Sequence, residues 1–99
     1  MESELVQYLE KALGNPKAIV LYGSYRWAED ISTSDIDIAV EATEDIEVTF
    51  IRPDGLERYE RLLAHKIQLM KFNRKKININ IFNNIANGIV LSGYLEVKP

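Results

Sequence analysis

Ala18-Ile19-Val20-Leu21-Tyr22-Gly23-Ser24, followed after ten intervening residues by Asp35-Ile36-Asp37-Ile38-Ala39-Val40, is the stretch on which the fold turns. The first segment is an uninterrupted apolar run, short enough for a strand covered on both faces. Gly23 permits a sharp exit and a close backbone approach. Ser24 then stands where a helix would begin, so its hydroxyl and the free N–H groups of a first turn form a natural anion site. The bland reading of the pair is a turn glycine and a capping serine. The second segment reads as a strand carrying two carboxylates. Strand side chains alternate faces, so Asp35 and Asp37 share one face while Ile36, Ile38 and Val40 fill the other. Residues two apart on a strand lie about 6–7 Å apart at Cα, a spacing that suits a shared divalent cation or a two-metal site. Aspartate is a poor strand former and two like charges on one face repel. A cation such as Mg²⁺ is the simple compensation, against the alternative of an ordinary exposed strand face.

Outward from this stretch, composition bounds the answer. Ninety-nine residues suit one domain spanning 1–99. Hydrophobic residues make up 46% and charged residues 27%, an ordinary globular balance. The absence of cysteine excludes a disulfide framework and a thiolate zinc site, and makes the cytoplasm the expected location. No apolar run approaches a membrane span. A net charge of −3 argues against broad nucleic-acid binding.

Gly23-Ser24, ten residues, then Asp35-x-Asp37 resembles the signature of the DNA polymerase β-like nucleotidyltransferase superfamily, and within it the minimal nucleotidyltransferases. These are small domains often paired with a HEPN-domain protein. The likeness runs well from Leu21 to Val40, and Gly88-Ile89-Val90-Leu91 resembles the end of the family's domain. It implies an α/β nucleotidyltransferase fold: a small mixed sheet with helices mainly on one face and core order αβαβαβ. It also implies that Gly23 and Ser24 hold a triphosphate and that Asp35 and Asp37 are catalytic metal ligands. One departure comes just after the Gly-Ser pair. Where the family has a basic residue and a glycine, this chain has Trp27 and Ala28, with Arg26 just before. Arg26 either reaches a phosphate with its forked side chain or is a surface arginine. Trp27 packs in the core or offers a stacking face.

In the rest of the chain, Leu5, Tyr8, Leu9, Ala12 and Leu13 give a helix over Ser3–Leu13, capped by Ser3 and ended by Gly14 and Pro16. Glu41–Asp45 reads as a polar link. Ile46–Ile51 reads as a strand able to pair with Asp35–Val40 as a hairpin, although a helical reading survives. Asp54 offers a cap for a long helix from Leu56 to about Phe72, with Leu56, Tyr59, Leu62, Leu63, Ile67 and Met70 on one face. Lys71–Lys76 is a basic cluster that either ends this helix favourably or attracts triphosphate or a partner. His65 receives no role.

Ile77–Phe82 alternates as a strand. In the resembling family the corresponding strand carries a third carboxylate that readies the incoming hydroxyl. The expected positions here are Asn80 or Asn78, both neutral. Asparagine offers a carbonyl oxygen but accepts no proton, and loss of a general base typically lowers the rate about 10²–10⁴-fold.

The resemblance implies transfer of a nucleoside monophosphate, AMP from ATP, to a hydroxyl acceptor with Mg²⁺. Minimal members suggest a side chain on a HEPN-type toxin partner, an antitoxin role. Ninety-nine residues leave no room for an acceptor-binding domain, so the acceptor or its binding surface must come from elsewhere; a HEPN-domain partner and a homodimer are the candidate associations. The competing reading is a binding module that keeps the fold and has lost catalysis with the third carboxylate.

Overall fold

The computed structural model describes residues 2–14, 16–22 and 35–93. In chain order they form α1 (Glu2–Ala12), β1 (Ala18–Tyr22), β2 (Ile36–Glu41), β3 (Thr49–Ile51), α2 (Leu56–Leu63), β4 (Ile67–Phe72), α3 (Ile79–Ala86) and β5 (Ile89–Gly93). The five strands make one mixed sheet in the order β3-β4-β2-β1-β5. The central pair β2 and β4 is parallel, while β1–β2, β1–β5 and β3–β4 are antiparallel.

The alternation of β2 separates two apolar layers. Ile36, Ile38 and Val40 join Ile19, Ile67 and Leu69 under Leu5 and Leu9 of α1 and Leu56 of α2. Ala39 joins Ala18, Val20, Met70 and Phe72 under Phe82 and Ile85 of α3. Two helices therefore cover one face and the third covers the other, as expected of helices lying mainly on one face. The inner strands are apolar on both sides because both sides are covered.

α1 forms much as its periodicity predicts. It already includes Ser3, and it ends before Gly14, whose φ of 71° only glycine adopts freely. Tyr8 donates to the carbonyls of Pro53 and Asp54 and stacks on Tyr59, tying α1 to the start of α2. The cap of α2 is Gly55 and not Asp54.

Three expectations are corrected. The helix from Leu56 to Phe72 stops at Leu63, because Ala64 takes a left-handed conformation at φ 59°. The chain then runs into β4, the second central strand, with Ile67 and Leu69 on one face and Met70 and Phe72 on the other. The strand over Ile46–Ile51 shrinks to Thr49–Ile51 and pairs with β4 rather than with β2 as a hairpin. The strand over Ile77–Phe82 is instead the start of α3. Asn78 is its N-cap, accepting from the Asn80 N–H at 2.8 Å, and Phe82 and Ile85 form its buried stripe while Ile79 points outward.

Glu41, read as part of a polar link, is the last residue of β2 and is fully buried. It accepts from Arg74 Nε at 2.7 Å, with Lys17 Nζ at 3.9 Å. A buried carboxylate is tolerated only when paired in this way.

A second ion pair makes stability depend on pH. Glu60 accepts from Arg52 Nη2 at 2.7 Å and from the Ile67 N–H at 2.8 Å. The Arg52 hydrogen bond, helped by that of Ile67 and opposed by partial burial, holds the Glu60 carboxyl below its ordinary 4.5. A depressed folded value contributes stability above the unfolded value, and that contribution is lost as pH falls through the folded one. We expect the melting temperature of Glu60→Gln to fall less than that of wild type on acidification from about pH 5 to about pH 3. Parallel curves would show that this pair contributes nothing.

Candidate active site

β1 and β2 meet in the register Tyr22↔Asp37, and β2 and β4 in the register Asp37↔Gln68. Paired residues share a face of the sheet, so Tyr22, Asp37 and Gln68 form one row across three strands at the edge where β1 ends and β2 and β4 begin. Asp35 stands just before β2. Its carboxylate oxygen accepts from Gln68 Nε2 at 3.3 Å. The two aspartates predicted to act together therefore lie at one end of one strand, and Gln68 joins them from the neighbouring strand.

Asp37 is half-buried. Its pKa is raised by that burial and further by the Asp35 charge. Tyr22, also half-buried, is raised by burial and then by Asp37, and its hydroxyl lies 3.9 Å from Met70 Sδ. The row is short of positive charge. Such a pair is what a divalent cation would stabilise, and the residues fit one ion held by two carboxylates. Among the described residues no group of three or more acids, histidines or cysteines is placed to hold a metal.

The neutral side chain beside the pair is Gln68, which sequence reasoning missed. Asn78 and Asn80, expected there, lie at the start of α3. That segment comes after Arg74, which pairs with Glu41 at the far end of β2. Gln68 was hidden inside what read as a helix. The usable signal is the alternation of Ile67-Gln68-Leu69, with the polar residue flanked by two buried ones.

The basic cluster does not serve this edge. Lys71, Arg74 and Lys76 pair with Glu44, Glu41, and Asp45 and Glu47. They belong to the opposite end of β2 and β4, about 13 Å away along the strands. Gly23, Ser24, Arg26 and Trp27 lie outside the described residues.

A mixed five-stranded sheet covered by three helices, with a carboxylate pair at the start of a central strand, defines a small α/β domain. Comparison gives its family: the model for the polymerase beta nucleotidyltransferase domain matches residues 3–94, and the chain belongs to that family. The match is consistent with a minimal nucleotidyltransferase. No protein of curated function and no solved structure matches. The domain is thus a nucleotidyltransferase domain, which implies a nucleoside triphosphate substrate and, as is typical of the family, divalent metal. No helix among the described residues is long and apolar enough to cross a membrane.

Proposed function

We propose that this domain binds ATP with Mg²⁺ and transfers AMP to a hydroxyl. The observation that carries the reading is the Asp35–Asp37 pair, mutually repelling, with Asp37 half-buried and set beside the exit of β1. Asp35 and Asp37 hold the ion. Gly23 and Ser24 come directly after Tyr22 and bind phosphate through backbone N–H groups and the serine hydroxyl, with Arg26 adding charge. A bound ion would supply positive charge against that developing on the leaving pyrophosphate. The acceptor is a hydroxyl on a protein partner of the HEPN type, in keeping with an antitoxin, or is presented by a second copy of the chain.

Gln68 favours a second reading. Its amide takes no proton from the acceptor, so the chain binds nucleotide while transferring slowly, and acts on its partner by masking or positioning it.

Calorimetric titration with ATP, with and without Mg²⁺, tests the proposal. Wild type should bind only with Mg²⁺, and Asp35→Asn/Asp37→Asn should not bind. Because burial and then the Asp35 charge disfavour the Asp37 carboxylate, Asp37→Asn alone should melt a few degrees above wild type in metal-free buffer. A mutant that keeps Mg²⁺-dependent binding would overturn the assignment.

A further inference from the structure

On the face that carries the Asp37–Gln68 row, the next row along the strands is Phe50, Met70 and Ala39. Met70 is buried beneath α3 and Ala39 is fully buried. Tyr22, from the row at the edge, reaches across to put its hydroxyl at Met70 Sδ. Phe50 flanks Met70 from the other side and remains 64% exposed. Met70 and Ala39 are covered, so what this row presents to solvent beside the carboxylates is the Phe50 ring.

Phe50 lies two strands across and one pleat along from Asp37, about 12 Å between Cα atoms. That separation is of the order of the reach from a metal-bound phosphate to the base of the same nucleotide. An exposed aromatic ring gives a planar ligand a face to stack on. Phe50 forms no part of either buried layer, whereas its neighbour Ile51 packs into one.

We propose that Phe50 is the base-stacking residue of the nucleotide site, with the buried Met70 as its partner across the strand pair. The proposal rests on the Asp35–Asp37 reading and adds the direction in which the nucleoside lies, from the acidic edge across β4 to β3. Stacking tolerates any base, so the shelf contributes affinity for nucleosides over bare phosphates and discriminates weakly among bases.

The test compares Mg²⁺·ATP with Mg²⁺·tripolyphosphate by calorimetry for wild type, Phe50→Ala and Phe50→Trp. Wild type should prefer ATP. Phe50→Ala should bind ATP about five- to tenfold more weakly and tripolyphosphate unchanged, and Phe50→Trp should retain ATP. A nuclear Overhauser contact between adenine protons and the Phe50 ring gives an independent readout. If wild type binds the two ligands equally, or Phe50→Ala binds ATP as wild type does, the shelf is overturned while the phosphate reading stands. The exposed ring on β3 would then be left to a protein partner. If wild type binds neither ligand, both readings fall together.

Discussion

Replacing Gln68 with aspartate should raise nucleotidyl transfer by about 10²–10⁴-fold. The position lies opposite Asp37 in the parallel pairing of β2 and β4, and its amide already touches Asp35. A carboxylate there would complete a three-acid cluster and could take the acceptor's proton, which an amide cannot. The same change adds a third negative charge to a row where burial and Asp35 already raise Asp37. Gln68→Asp should therefore melt lower than wild type without metal and recover more when Mg²⁺ is added. Pyrophosphate release from Mg²⁺·ATP, with a tyrosine peptide as acceptor, measures the first effect, and thermal melts measure the second. An unchanged rate with nucleotide binding intact would show that this position does not face the acceptor.

The second large effect is on the fold. Gly93 closes β5 at φ 76°, and a Cβ added there would sit 2.1 Å from the Lys17 carbonyl oxygen. An L-residue in the left-handed region costs roughly 1–2 kcal/mol, and overlap with backbone cannot be relieved by a rotamer change. Gly93→Ala should lower stability by about 3 kcal/mol or more, equivalent to a drop in melting temperature of at least about 12 °C. Gly14→Ala isolates the conformational part. Gly14 has φ 71° with nothing within 4 Å of an added Cβ, so its loss should stay near ~1 kcal/mol. Equal losses in urea titrations of the two variants would show that β5 gives way rather than clashes.

The parts of the fold that were legible are those written locally. The run Ala18–Tyr22, the alternation from Ile36 and the stop at Gly14 each reduce to neighbouring residues, and each matches the observed element. The boundary between α2 and β4 is not written in this way. Ala64 adopts the conformation usually given to glycine, so the residues from Leu56 to Phe72 offer one unbroken helical stripe. Ile77, Ile79 and Ile81 mislead in the other direction. Their alternation suggests a strand, yet Phe82 and Ile85 are the residues that anchor the segment, at helical spacing. The candidate site divides along the same line. Asp35 and Asp37 are visible because they stand two positions apart where one strand begins, whereas Gln68 enters only through strand register, which neighbouring residues do not encode.

The parallel pairing of β2 with β4 also bears on how quickly the molecule becomes competent. Asp35 and Gln68 are 33 residues apart in the chain, and parallel neighbours cannot be joined by a tight turn. Their contact must wait until β3 and α2 have been laid down as the crossover, after the loop-closure entropy has been met. The β1–β2 pair can form earlier and would display the acids before Gln68 arrives. A chain still emerging from the ribosome would thus hold an unfinished acidic edge, and the candidate site would be completed late in folding.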